Sequence, residues 1–188
     1  RGQLVTMLRQ LNADKIPVGS GLHDSSAALI PYLSTFSEPF VLISTGTWCI
    51  SMNPFNDSPL TEEELKRDCL CYLSHQATPI KAARLFAGHE HEVQCKRISV
   101  HFNQHEDYYK LVDYNSSLVI RPAKLIDSDS PIKFITSSTG SSAFGQRTLS
   151  NFSSYEEAYH QLVADIIAMQ IVSTNLILSS NVTRIFVD

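Results

Sequence analysis

The chain is poor in cysteine and in net charge, and it has no long apolar run. Its 188 residues include four cysteines, too few for a disulfide scaffold of this size, so we predict free, buried thiols. The formal net charge of −4, with no basic stripe, argues against a general nucleic-acid-binding protein. No apolar run reaches the length of a membrane span and no signal-peptide pattern is present, so we expect a cytoplasmic protein.

The sequence contains enough apolar residues to form a core, since 43% of the residues are hydrophobic. Hydrophobic periodicity and caps predict helices at residues 3–11, 25–33, 80–87 and about 155–178, and a capping box at residues 61–64 opens a further short helix. Apolar runs predict strands at residues 40–43, 48–52, 69–74 and 184–187, with short strands at 118–120 and 134–135. We therefore expect an α/β fold in which residues 40–76 form three consecutive antiparallel strands, joined by 184–187 and covered by the long helix.

The long helix has a broad apolar face. Its stripe contains Tyr159, Leu162, Ile166 and Met169, and it is widened by Ile167, Ile171 and Leu178. An apolar face of that width predicts a helix buried against a sheet.

Asp24 lies in a tight Gly/Ser loop directly before a helix of small residues. Asp is a preferred helix cap, so one interpretation is that Asp24 or Ser25 is simply the N-cap. The other is functional, because His23 precedes Asp24 and the small residues that follow would let a ligand come close. A carboxylate held at a helix start could act as a base in phosphoryl transfer.

A buried strand runs directly into a turn made of Ser44, Thr45, Gly46 and Thr47. Hairpin turns favour Gly, so the turn could be purely structural. Backbone N–H groups and three hydroxyls could equally be directed at an anion. The sequence alone leaves both interpretations open.

Two other segments carry suggestive side chains without the spacing that their chemistry needs. Residues 89–92 read His-Glu-His-Glu with Cys95 beyond, but they lack the Cys-x-x-Cys or His-Glu-x-x-His spacing of zinc sites. We predict no metal site there, only a solvated helix face. Residues 137–142 lack the Gly-Lys-Ser/Thr ending of a phosphate-binding P-loop, and we interpret residues 103–150 as an irregular insertion.

Residues 21–28, Gly-Leu-His-Asp-Ser-Ser-Ala-Ala, and residues 44–48, Ser-Thr-Gly-Thr-Trp, resemble motifs of the FGGY carbohydrate kinases. The His-Asp and Gly-Thr-Trp variants look most like the rhamnulokinase and fuculokinase branch. The resemblance covers residues 16–54 and 150–188 and is loose between them. It implies the α/β, actin-like ATPase (ribonuclease H-like) fold of that family, whose two domains hold the sugar and MgATP in the cleft between them.

The resemblance also implies a role for each motif residue. Asp24 matches the general base of the family, and His23 and Asp24 would contact the sugar. The phosphate-binding loop would consist of Ser44, Thr45, Gly46 and Thr47. ATP would be the co-substrate, together with Mg²⁺.

By the same resemblance, we expect an incomplete two-domain sugar kinase. Residues 1–36 match the end of the first domain, and residues 37–188 match a second domain that stops before the adenosine-binding loop. We expect the full-length parent to phosphorylate a sugar hydroxyl and the 188-residue chain alone to be inactive. The alternative is a non-catalytic actin-like ATP-binding or regulatory module. The expected partners are the sugar and ATP, with neither nucleic acid nor membrane, and the sequence leaves homo-oligomerisation and the identity of the sugar open.

Overall fold

The computed structural model describes residues 22–119 and 143–188. The α-helices of these ranges are α1 (Asp24–Thr35), α2 (Glu62–Lys66), α3 (Ala87–His101) and α4 (Tyr155–Asn175). The strands are β1 (Phe40–Ser44), β2 (Cys49–Asn53), β3 (Cys69–Leu73), β4 (Pro79–Leu85) and β5 (Arg184–Val187). Three short 3₁₀ helices lie at Tyr108–Leu111, Phe144–Gln146 and Leu149–Asn151. A membrane-crossing helix is not found in these ranges, where each helix is too short or too polar.

The five strands form one mixed sheet in the order β3-β4-β2-β1-β5. Strands β1 and β2 form an antiparallel hairpin, and β5 lies parallel to β1 on its other side. Strand β4 is antiparallel to both β2 and β3. The mixed α/β sheet fits the predicted fold class, and the long helix and β5 were predicted correctly. The predicted pairing of three consecutive strands was wrong, because β4 lies between β2 and β3.

The predicted helix at residues 80–87 was wrong, because this segment is strand β4. Its alanines, Lys81 and Arg84 favour a helix by intrinsic propensity, and this preference misled the sequence interpretation. In the fold, however, both edges of the segment are hydrogen-bonded to other strands, and Ala82 and Ala83 are fully buried. Pairing on both sides therefore overrides local propensity. Helix α3 begins only after this strand ends.

The sheet is covered on both faces. Leu29 of α1 is fully buried against Phe40 and Leu42 of β1, and rings from α1, β1 and β5 surround them. On the other face, α4 reaches β2 through buried polar groups, with Ser51 Oγ 2.7 Å from Thr174 Oγ1. Helix α1 belongs to the predicted tail of a first domain, yet it shares this core with the strands that follow it.

Two further predictions for the helices need correction. Helix α1 begins at Asp24, with His23 rather than Asp24 or Ser25 as the N-cap residue. Along α4, Leu162 and Met169 are buried as predicted, but Ile167 and Ile171 are each more than half exposed. The buried side of α4 instead contains polar residues, namely His160, Gln161, Asp165, Ser173 and Thr174. Hydrogen bonding across the interior therefore replaced part of the apolar face that periodicity predicted.

Several predicted elements lie outside the described residues. They are the helix at 3–11, the glycines of the loop before His23, the strand at 134–135 and the turn at 137–142. The described ends of the predicted insertion pack against the helices, with Phe144 and Leu149 buried beside α3 and α4.

The carboxylate of Asp165 on α4 holds the segment around Phe144 and Leu149 against the helices. It is fully buried and accepts two hydrogen bonds from Arg147, at 2.7 and 3.0 Å, and one from Gln161 at 2.8 Å. The main-chain carbonyl of Arg147 in turn accepts a 2.5 Å hydrogen bond from the guanidinium of Arg97 on α3. The 143–150 segment is thus tied to both helices by charged side chains.

We expect Asp165→Ala to lower the free energy of unfolding by about 2–4 kcal/mol, because it leaves Arg147 without its partner. The value is set below that of a fully buried pair because the Arg147 side chain is 39% exposed. Urea unfolding measures the change. Glu62→Ala, which breaks the exposed pair with Lys66, is the matched control and should change stability little. Equal effects of the two substitutions would contradict the structural role of Asp165.

Candidate functional site

Asp24 lies at the exposed start of α1, and 92% of its side chain is accessible. His23 Nδ1 lies 2.7 Å from Asp24 Oδ1 and 3.3 Å from the N–H of Ser25. The N–H of Ser25 donates to Nδ1, so the His23 side chain is the acceptor that caps the helix. The same carboxylate oxygen accepts the N–H of Ser25 at 2.7 Å. This geometry suits a helix-start residue and leaves the carboxylate open to a ligand, so the catalytic role stays a prediction.

The four residues of the predicted phosphate loop join β1 to β2. Ser44 is the last residue of β1, and Thr45, Gly46 and Thr47 are exposed. Both the N–H and the hydroxyl of Thr45 donate to the main-chain carbonyl of Asp188, at 2.8 and 2.6 Å. These two donors therefore stabilise the fold, and no local motif indicates this role. Gly46 and Thr47 line an adjoining cavity.

Gly88, at the start of α3, lines the candidate site and was not among the residues predicted from the sequence. Its N–H donates to the carbonyl of Thr47 at 3.1 Å. A Cβ at Gly88 would lie 2.2 Å from the carbonyl oxygen of Gly46 and 2.8 Å from Thr47 Cα. Only a glycine therefore allows α3 to approach the turn this closely. The sequence feature that could have identified Gly88 is its position shortly after a strand. This feature could not be recognised, because the sequence predicts a helix over residues 80–87.

The turn and α3 together border a cavity of about 450 Å³. It extends along one side of α3, from Gly88 past His91, Glu92, Cys95 and Lys96 to the 3₁₀ segment around Tyr109. The N-cap residue of α3, Phe86, makes no side-chain cap hydrogen bond. A helix N-terminus carries partial positive charge and unpaired N–H groups, so an anion at this end of the cavity would be stabilised.

The His-Glu-His-Glu segment lies within α3, but its face is only partly solvated. Glu90 is buried and His91 is half-buried, which corrects the predicted solvated face. His91 Nε2 lies 3.1 Å from the hydroxyl of Tyr159 and 3.5 Å from Cys95 Sγ, and burial lowers the pKa of His91. Within residues 22–119 and 143–188, no group of three or more His, Cys, Asp or Glu side chains could hold a metal ion.

The thiols differ in burial more than predicted. All four cysteines are free, Cys69 and Cys95 are buried, Cys49 is half-buried, and Cys71 is exposed. Cys71 is exposed although it lies on the same face of β3 as Cys69, because successive residues of a strand alternate between faces and burial decreases along this edge strand. Burial raises the pKa of Cys69 to about 11 and that of Cys95 to about 12.

We expect iodoacetamide at pH 8 to alkylate Cys71 first in the native protein. Cys69 and Cys95 should react only after unfolding, because the thiolate is the nucleophile and their pKa values keep them protonated. Peptide mass spectrometry at timed intervals distinguishes the thiols. Early modification of Cys95 would show that the cavity exposes it.

We expect Gly88→Ala to lower the free energy of unfolding by about 1–3 kcal/mol, because the new Cβ overlaps main-chain atoms that cannot rotate away. Gly46→Ala is the matched control. Its Cβ would meet only the Trp48 carbonyl oxygen at 3.7 Å, and none of the described glycines has a positive φ. Chemical unfolding of both variants should therefore separate them. If Gly88→Ala is as stable as Gly46→Ala, the close approach is not a constraint.

Residues 37–122, which include β1 to β4 and α3, match the family model of the carbohydrate kinase FGGY C-terminal domain. No curated protein matches the chain. Among solved structures, the chain is similar to the crystal structure of a carbohydrate kinase from Novosphingobium aromaticivorans, with 22% sequence identity and a TM-score of 0.52. The match covers 89% of this chain and 35% of that one, and at this identity it shows a shared fold.

Proposed function

We propose that this chain belongs to the FGGY carbohydrate kinases and contributes to ATP-dependent phosphorylation of a sugar hydroxyl. The observation that carries the proposal is the backbone contact between the residue 44–47 turn and the start of α3 at Gly88. It brings a Gly-Thr turn and a helix N-terminus to one end of a cavity of about 450 Å³. Both features favour bound phosphate. The match of residues 37–122 to an FGGY domain supports the same reaction.

In this proposal the cavity receives ATP. Gly46, Thr47 and the first turn of α3 would contact phosphate oxygens, while Thr45 holds the turn in place. Glu92, Glu106 and Asp107 lie farther along the cavity, where carboxylates could accept hydrogen bonds from ribose hydroxyls. Magnesium, bound with ATP, would neutralise phosphate charge. We assign no magnesium ligand among the described residues.

Asp24 is the proposed general base. A sugar hydroxyl is a poor acid, but phosphoryl transfer has a loose transition state, so an aspartate that orients the hydroxyl and accepts its proton suffices. The exposed Asp24 carboxylate can reach a ligand, and His23 limits its rotation by the 2.7 Å contact. His23 would then be the neighbouring sugar contact. The rhamnulokinase and fuculokinase branch remains a proposal that rests on the residue motifs.

We expect Asp24→Asn to lower kcat by about 10²–10⁴-fold in the natural protein that carries this sequence, since only the base is lost. The KM for the sugar should stay within about tenfold, because shape and hydrogen bonding are largely kept. A coupled ADP-release assay with a panel of sugars and MgATP measures both constants. The matched control is Asp57→Asn, at another exposed aspartate, and it should behave like the wild type.

The same assay distinguishes the proposed kinase from the alternative, a non-catalytic ATP-binding module. A non-catalytic ATP-binding module would bind MgATP without turnover of any sugar. Near-normal turnover by Asp24→Asn would instead show that Asp24 is only the helix-start residue, for which Asn is an equal substitute.

A further inference from the structure

We propose that Arg84 is a positioning residue: it holds the indole ring of Trp48 and, through that ring, fixes the phosphate turn relative to the loop of His23 and Asp24. The inference rests on the function proposed for the turn. Arg84 is on β4, and neither the sequence motifs nor the family match assigns it a role.

The position of the Trp48 ring affects the position of the turn, because Trp48 directly follows Thr47, the last residue of the turn. The guanidinium of Arg84 lies 4.8 Å from the centre of the Trp48 ring, and the ring of Phe86 stacks on it at 4.3 Å. Cation–π contact with Trp is the strongest of its kind and grows as the pair is removed from water. Both partners of the indole come from the segment that leads into α3. The ring therefore ties the turn to β4, in addition to the contact that the turn makes with Gly88.

Asp68 holds Arg84 by two bonds. The carboxylate of Asp68 accepts a 2.6 Å hydrogen bond from Arg84 Nη2, and its main-chain carbonyl accepts the N–H of Arg84 at 3.2 Å. Asp68 has a φ of 63°, in the left-handed region that non-glycine residues rarely occupy. Both side chains are partly buried, 28% and 20% exposed, so solvent screens the pair less than a surface pair. The guanidinium thus has one fixed orientation.

Tyr72 extends this contact chain to the Asp24 loop. Burial raises the pKa of the Tyr72 hydroxyl and the nearby Arg84 guanidinium partly offsets this rise, while the Tyr72 ring stacks on His23 at 5.0 Å with an interplanar angle of 16°. His23 in turn contacts the Asp24 carboxylate. Arg84 therefore neighbours two rings: Trp48, which follows the predicted phosphate turn, and Tyr72, which stacks on the loop of His23 and Asp24. This placement allows it to set their separation.

The arrangement requires arginine and not merely a positive charge. Arg84 uses one end of its planar group for Asp68 and its flat face for Trp48, while its Nε is buried with no hydrogen-bond partner in the described part of the chain. Lysine has a compact ammonium that cannot do both at once. Arg84→Lys should therefore fail to replace Arg84, whereas a role as a point charge would allow it.

Trp48 is the only tryptophan of the chain, so its fluorescence reports this contact directly. The test compares Arg84→Met and Arg84→Lys with the wild type by acrylamide quenching of Trp48 in the 188-residue chain and by titration with MgATP of the natural protein that carries this sequence. Arg184→Met is the matched control, because Arg184 also pairs with a carboxylate, Glu38, and lies over a ring, Phe36, but on β5. Thermal unfolding verifies that each variant is folded before it is compared.

Both Arg84 variants should show stronger quenching of Trp48 and about tenfold weaker MgATP binding, while Arg184→Met matches the wild type. Quenching and binding that are unchanged in Arg84→Met, or restored in Arg84→Lys, would overturn the proposal. If the wild type binds MgATP and the Arg84 variants bind it equally well, the positioning role fails and the proposed function stands. If the wild type binds no MgATP, the proposed function fails, and the quenching comparison alone decides whether Arg84 holds Trp48.

Discussion

The double pairing of β4 is the constraint on which the rest of the site depends. This strand is hydrogen-bonded to β2 on one side and β3 on the other, so its direction is fixed along its whole length. It delivers Arg84 to one face of the sheet and, immediately after its end, Gly88 to the turn between β1 and β2. The hydrogen bonds that β4 makes with β2 and β3 thereby fix where α3 begins and how closely it approaches the turn.

The candidate site consists of residues at the ends of helices and strands and is not confined to one pocket. The start of helix α1 lies beside β3, where His23 stacks on Tyr72, and Phe36 at the end of the helix contacts Phe186 of β5. Helix α3 starts beside the turn between β1 and β2. Charges and dipoles at helix starts favour anions over cations, which suits a phosphorylated ligand. The described part of the chain thus offers phosphate contacts and a carboxylate, while MgATP and sugar binding stay proposals.

Sequence reasoning succeeded where one local pattern determined the outcome. The hairpin of β1 and β2, the long helix, β5 and the capping box at Thr61 could all be predicted from apolar runs and cap residues. It failed where long-range contacts decided between two local preferences. Pairing on both sides made a strand of Pro79–Leu85, and a hydrogen-bonded interior buried Asp165 while leaving Ile167 exposed.

The same limit applies to the site. His23, Asp24 and the four turn residues were recognisable because their residue types are contiguous in the sequence. The contacts of Gly88, Asp68 and Arg84 could not be recognised, because their partners are brought close only by the folded sheet. No local spacing rule connects such residues.

The attachment of Thr45 to Asp188 bears on how the molecule is made. The two residues are separated by 143 positions, yet the N–H and hydroxyl of Thr45 both end on that one carbonyl. During synthesis the turn leaves the ribosome long before β5, and contacts of such high sequence separation form slowly. The turn therefore reaches its final geometry only when β5 docks beside β1. A nascent chain that has completed its hairpin still lacks the contacts that hold this turn, so the candidate anion site takes its final form only after β5 has been translated.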